Sequence, residues 1–340
     1  SADVSIIKDD ELRAKAQRLQ NKQKGFTLLE LLVVIGLIAL VSTGALVAYE
    51  GIGENAQDTA AANNINTAEN AIRSYRAVEA AYPNQWDNLA NVDGTLAQTD
   101  GMMELLAPQT EAFFGQWVVP IAAHTTAPEN TVYEAVATAM NAVGIDDLQS
   151  VDSNADFPAN VVPNLALNES SPNVTNPGSE IELDPAGAQF DEAAITAGLA
   201  LSIVPSSDEA LGTCTADGVT IAAPFAGAAV IDNTRLNLIN DAMDSEQCNL
   251  VLAVGFGKDV PGSTVGSRVA ISQVPTAVTD NVNPANNYAR YIALFQLAND
   301  ENDNGTIEAT EVFPRARLVG VVDPEGRTVD QALAGANAES

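Results

Sequence analysis

Histidine is almost absent from this chain: His124 is the only one among 340 residues. Histidine-based triads and His-rich metal sites therefore have no support. His124 sits in "PIAAHTTAPEN" and is read as a surface-loop residue. Cysteine is nearly as scarce, with Cys214 and Cys248 alone, and neither is a candidate free nucleophile. No phosphate-binding loop is present, because the glycines of "GFGKDVPGSTVG" do not lead into a helix. Basic residues are few as well. There are 15 Lys and Arg against 45 Asp and Glu, a net charge of −30, and no Lys or Arg falls between Arg76 and Arg235. Phosphate backbones need a basic patch, so nucleic acid is not an expected partner. The acids are scattered among apolar residues, which make up 46% of the chain; a disordered acidic tail is therefore not expected either. They are read as a solvated surface that keeps the protein soluble. The sharper alternative is adaptation to a saline or cation-rich medium, which would screen the self-repulsion. No enzymatic activity is expected.

One long apolar run is present, in "KGFTLLELLVVIGLIALVSTGALVAYE". Leu31 to Tyr49 carries no charge and would span about 28 Å as an α-helix, close to a hydrocarbon core. Six bases, Lys8, Arg13, Lys15, Arg18, Lys22 and Lys24, precede it. That bias places residues 1–25 in the cytoplasm and the remaining mass across the membrane. "DDELRAKAQRLQNKQKG" could form a short helix but not a membrane one. A secretory signal ends in a small-residue cleavage site after its apolar region, and none closes this run. Instead Gly25 lies directly before it. Glu30 lies near its start; an acid inside an apolar helix costs roughly 2.5–3.5 kcal/mol on insertion scales, and such acids mark function. The question is what neutralises it. Export makes one disulfide between Cys214 and Cys248 the expected state, worth roughly 3–4 kcal/mol in the chain-entropy account, with two buried free thiols the alternative.

"KGFTLLELLVVIGLIAL" resembles the processing and methylation motif of type IV pilins and type II secretion pseudopilins. Gly25 matches the last leader residue. Phe26 matches the new N-terminus, N-methylated in that family, and Thr27, Leu28, Leu29 and Glu30 follow in register. The resemblance covers about the first 30 residues of the processed chain strongly and the helix behind it more loosely. It implies cleavage after Gly25 by a prepilin peptidase and N-methyltransferase. It also implies pairing of Glu30 with the Phe26 ammonium of a neighbouring subunit, or with its own. Two departures stand out. The 25-residue leader resembles type IVb-like pilins while Phe26 resembles type IVa, and the helix-breaking proline of many pilins is replaced by Gly44. Glycines 36, 44 and 51 each lower helix propensity by about 1 kcal/mol.

The helical pattern continues through "ENAQDTAAANNINTAENAIRSYRAVEAAYP", with Ile65, Ile72 and Val78 at helical spacing and Pro83 as its stop. A helix over about 26–80 would be roughly 80 Å long. "YPNQWDNLANVDG" weakly resembles the start of the pilin αβ-loop. In residues 84–212, "ENTVYEAVATAMNAVGIDD" is expected to be a helix ended by Gly144, and "DEAAITAGLALSIV" a second one. "NADFPANVVPNLALNESSPNVTNPGSE" reads as an exposed loop whose sequons at Asn168 and Asn173 are attributed to chance. From residue 213 the texture changes. "GVTIAAPFAG", "NLVLAVGFG", "SRVAISQV", "RYIALFQLA" and "RARLVGVV" read as strands, with a helix at "NTRLNLINDAMDSE".

"DENDNGTIEATE", Asp300 to Glu311, matches the calcium-loop pattern D-x-[DN]-x-[DN]-G-x5-E at each specified position. Asp300, Asn302 and Asn304 would offer side-chain oxygens. Thr306 would offer its carbonyl, Glu308 a water-mediated contact and Glu311 a bidentate carboxylate, with Gly305 at the sharp turn. The flanks look like strands and Pro314 blocks an exit helix, so a Ca²⁺ loop at a β-hairpin tip is expected. Some pilins and major pseudopilins resemble this in carrying calcium in the C-terminal part of the head. The alternative is an ordinary polar turn.

The expected architecture is α+β and pilin-like, with a long N-terminal helix packed on a C-terminal antiparallel sheet and a large mixed insertion. Its parts are a leader at 1–25, the helix at 26–82 with a membrane and filament core at 26–50, a mixed part of the head at 83–212, and a β-rich part at 213–340. The expected function is a major pilin that inserts in the inner membrane and then polymerises with itself into a surface filament, served by the inner-membrane assembly machinery. The alternatives are a minor pilin or pseudopilin, or a membrane-anchored adhesin that never polymerises.

Overall fold

The computed structural model describes residues 9–12, 14–15, 27–97, 99–120, 131–151, 153, 178–190, 193–243, 246–256, 276–279 and 281–338. Gly25, Phe26, His124, Asn168, Asn173 and the expected strand "SRVAISQV" lie outside these residues. The chain divides into two compact units, residues 1–53 and 54–340. Residues 10–12 and 14–15 of the first unit are helical. A single 52-residue helix, α1 (Leu28–Glu79), contributes to both units. It ends before Pro83, where Ala80 turns into the left-handed region at φ 60°.

The second unit continues with β1 (Trp86–Asn91), α2 (Met102–Leu105), α3 (Pro108–Phe113), β2 (Gly115–Val119) and α4 (Val132–Asn141). Next come β3 (Asp147–Val151), β4 (Gly178–Glu182), β5 (Gln189–Phe190), β6 (Ala193–Ala194) and β7 (Leu199–Val204). Four short strands follow, β8 (Ser207–Asp208), β9 (Gly212–Thr213), β10 (Thr215–Ala216) and β11 (Val219–Thr220), then α5 (Thr234–Ile239). The chain closes with β12 (Asn249–Gly255), β13 (Ile292–Asn299), β14 (Thr306–Ile307), a 3₁₀ turn at Ala309–Glu311, β15 (Val312–Val322) and α6 (Val329–Ala338).

The main sheet has ten strands in the order β15-β13-β12-β1-β3-β4-β5-β6, with β7 also pairing β12 and β2 pairing β7. Its pairing corrects three expectations. The 83–212 part of the head is not made of helix and loop alone, because β1 to β7 of the sheet all come from it and β1 is central. "DEAAITAGLALSIV" is not a helix, because β7 occupies Leu199–Val204 with all six residues buried. The sheet is not purely antiparallel, because β1 and β3 run parallel. The expected helix at "NTRLNLINDAMDSE" is confined to α5.

Both faces of the sheet are covered at β12 and β13, which explains their near-continuous apolar runs. On one face, Leu250, Leu252 and Val254 of β12 and Ala293, Phe295 and Leu297 of β13 pack with Ile65, Ile72 and Tyr75 of α1 and with Val136 and Met140 of α4. On the other, Val251, Ala253, Ile292 and Leu294 meet Met102, Leu105, Phe114, Leu236 and Tyr288. The alternation is the two-residue period of a pleated strand. Trp86 sits fully buried on the α1 side, edge-on to Phe256 at 4.7 Å and to Phe295 at 5.7 Å. α4 begins as its sequence directs, with the Thr131 hydroxyl accepting from the Glu134 N–H, and Gly144 turns the chain after it at φ 88°. Arg327 ties the C-terminal segment to α1 through Asp58 at 2.8 Å while also bonding the buried Asp323 at 2.7 Å.

Polar side chains also enter this core. The Asp87 carboxyl on β1 is fully buried and its Oδ2 accepts from the Tyr288 hydroxyl at 2.7 Å. Burial pushes Asp87 up to about 7, against the opposing effects of that hydrogen bond and of the Arg290 charge. Its Oδ1 is buried without a hydrogen-bond partner among the described residues. Tyr288 reaches it over Gly255, where an added Cβ would overlap the hydroxyl.

Candidate functional site: the capped apolar helix and the 300–311 loop

Leu28 to Leu46 forms 19 helical residues that are long and apolar enough to cross a membrane. Its large side chains are exposed, with Leu28 at 83% and Leu40 at 75%. A contiguous apolar surface of this kind marks a membrane or protein contact. Glu30 stands in its first turn. Its Oε2 accepts from the Thr27 N–H at 2.9 Å and the Thr27 hydroxyl at 3.0 Å, and the Glu30 N–H donates to Thr27 Oγ1 at 3.2 Å. This is a capping box: Thr27 and Glu30 satisfy each other's backbone N–H groups at the helix start. The T-x-x-E spacing of this cap is visible in the sequence, and it gives Glu30 a local role beside that of a charge seeking an ammonium. The Phe26 amine lies outside the described residues.

The second candidate joins β13 to β15. Those strands pair antiparallel, so Asp300 to Glu311 lies at a hairpin end as expected. Asp300 is fully buried. Its Oδ1 accepts from the Asn304 N–H at 3.3 Å and its Oδ2 from the Gly305 N–H at 2.7 Å. Glu311, 8% exposed, turns inward from the other end. Its Oε1 accepts from the N–H groups of Glu301 and Asn302 at 3.0 and 3.2 Å, and its Oε2 from the Glu308 N–H at 2.9 Å. Asn304 Oδ1 accepts from the Thr306 N–H at 2.7 Å. Asp303 and Gly305 adopt left-handed φ values of 58° and 80°, which glycine meets without strain. The first and twelfth positions of the pattern therefore hold the loop's own amides.

The donor types suit a hard, oxygen-seeking cation: two inward carboxylates, the amides of Asn302 and Asn304, and the Thr306 carbonyl. Among the described residues, no group of three or more His, Cys, Asp or Glu side chains is arranged to hold a metal ion. A cation here would thus depend on amide and carbonyl oxygens as much as on charge.

Cys214 and Cys248 are joined in a disulfide with both sulfurs buried, as the paired-cysteine reading expects.

Residues 20–46 match the family model described as the prokaryotic N-terminal methylation motif. That match indicates a type IV prepilin-like protein. The motif implies processing by a prepilin peptidase and assembly into a pilus-like system. No curated protein and no solved structure matches the chain.

Proposed function

We propose that the chain is a major pilin, a structural subunit that polymerises through α1 into a surface filament, with the sheet-rich unit as a pilin-like head. The observation that carries this is the exposed apolar helix opened by Thr27 and Glu30 within the methylation motif. The subunit waits in the inner membrane with residues 28–46 in lipid. Cleavage after Gly25 creates an ammonium at Phe26, and the Glu30 carboxylate receives it from a neighbouring subunit during docking, or from its own chain. Such a pair is tolerated in an apolar setting, whereas one member left alone is strongly penalised. The work done is assembly rather than catalysis. The large head favours a pilin over the shorter major pseudopilins. The test is the dominant band of sheared surface filaments, whose N-terminal sequence should begin at Phe26. A rare band would instead indicate a minor subunit, and absence of filaments an anchored adhesin.

We also propose that the 300–311 loop takes Ca²⁺. Asp300, Asn302, Asn304 and the Thr306 carbonyl would hold it, with Glu308 through water and Glu311 by both carboxylate oxygens. The ion would neutralise the two inward carboxylates and fix the β13–β15 connection. Asparagine at two donor positions lowers the ligand charge, so the affinity should suit extracellular calcium.

A further inference from the structure

The loop and the disulfide are joined at two places. The Asp300 N–H, at the loop's first position, donates to the carbonyl of Cys248 at 2.9 Å. The Thr215 N–H, next to Cys214, donates to the carbonyl of Gly305 at 3.1 Å. β10 and β14 then pair in parallel, Thr215 beside Thr306 and Ala216 beside Ile307, and the Thr215 and Thr306 hydroxyls lie 3.0 Å apart. The segment Asp300–Thr306 is thus bracketed by the two half-cystines, one at each end. Asp300 reaches across the same segment to the Gly305 N–H. The segment carries Asp300, Asn302, Asn304 and the Thr306 carbonyl, most of the proposed donor set. Separating the two sulfurs would free the β10 side of the bracket from the β12 side, and the loop would lose its fixed span.

The geometry points to the Cys214–Cys248 bond as a positioning element for the cation loop. Calcium affinity and the redox stability of the bond are then linked. This rests on the calcium reading above. Linkage is reciprocal: whatever factor the bond adds to calcium affinity, calcium adds to the bond's resistance to reduction. Cys214 and Cys248 touch no cation themselves, and they act through the Asp300 N–H, Thr215 and the Gly305 carbonyl.

The experiment uses the detergent-solubilised full chain. Calcium titration of the oxidised protein is compared with that of the protein reduced by dithiothreitol, which converts the bond to two thiols as the reagent closes to its cyclic disulfide. We expect reduction to weaken calcium binding by about tenfold or more. In a buffer of reduced and oxidised dithiothreitol, saturating calcium should shift the protein's thiol–disulfide equilibrium toward the disulfide by the same factor. Thr215→Val, with the bond intact, should weaken calcium binding several-fold. Equal affinity before and after reduction, in a protein whose β12 and β13 amides stay protected from hydrogen exchange, overturns the proposal. Calcium-free hydrogen exchange supplies an arm that needs no metal: reduction should accelerate exchange at Asn304 and Gly305. Unchanged exchange there overturns the bracket itself. Failure of the oxidised protein to bind calcium sinks the calcium reading, while the exchange arm still decides whether the bond positions the loop.

Discussion

Raising the pH should weaken the folded head through Asp87. Its carboxyl is pushed up to about 7 in the fold from an ordinary 3.8, because its full burial outweighs the Tyr288 hydrogen bond to Oδ2 and the Arg290 charge, and Oδ1 has no hydrogen-bond partner among the described residues. A carboxyl raised by folding holds its proton longer when folded than when unfolded. The stability from that proton is fully present below about pH 4 and is lost as the pH rises through about 7. The slope between those limits is about −1.4 kcal/mol per pH unit, and the total is on the order of 4 kcal/mol. Asp147 changes in the same direction, pushed up to about 6 by burial and by Asp146 and Glu180, and other carboxylates add their own terms. The assay is therefore a difference: urea unfolding of wild type and Asp87→Asn at pH 4.5, 6 and 8. Asparagine keeps an acceptor for Tyr288 and cannot ionise. It should be near neutral or slightly destabilising at pH 4.5 and stabilising by roughly 1–3 kcal/mol at pH 8, after about 1–3 kcal/mol is subtracted for a poorly bonded amide. Stability curves that run parallel across this range would refute the reasoning.

Ile72→Ala should cost about 2–5 kcal/mol in the same unfolding assay, because Ile72 is fully buried between α1 and the sheet; a loss below 1 kcal/mol would contradict that packing. Gly255→Ala should cost about 1–3 kcal/mol by displacing Tyr288 from Asp87. It should also widen the pH difference above, because the lost Tyr288 hydrogen bond no longer holds Asp87 down, whereas a wild-type pH response would contradict the contact. For the cation loop, chelation should lower the melting temperature of the head by several degrees, and Asp300→Ala should abolish that response. An unchanged melt on chelation counts against the site.

The sequence displayed the parts of this fold whose causes are local. β12, β13 and β15 were visible as apolar runs, β12 and β13 because the sheet is covered there on both faces. α4 was visible because its apolar residues follow a helical period and Gly144 marks its end; the Thr131 cap that starts it came from the structure. β1 was hidden because "WDNLAN" carries three polar residues. Two of them find partners far away, Asp87 at Tyr288 and Asn88 at Ser202 and the Ala200 carbonyl, while Asn91 holds the turn that follows through the Thr95 carbonyl and the Met102 N–H. No local pattern announces such pairs. β7 was hidden for a related reason. "AGLALSIV" favours a helix by its alanine and leucine, and only the positions of β2 and β12 on either side make it a strand. The 300–311 loop was legible as a pattern and its hairpin setting followed from its flanks. Its attachment to the disulfide was not, since β10 and β14 lie far apart in sequence.

Glu30 carries the central claim, and the cap it makes with Thr27 has different requirements from the ammonium pairing proposed for it. At the N3 position of a capping box it needs only an acceptor oxygen, which glutamine also supplies. As the partner of the Phe26 ammonium it needs a charge. The decisive measurement is the yield of sheared filaments from cells carrying Glu30→Gln, with the membrane-inserted subunit quantified alongside. The account predicts an unchanged membrane level and a filament yield reduced by about tenfold or more. A wild-type filament yield from Glu30→Gln would contradict it, leaving Glu30 as a helix cap and nothing further.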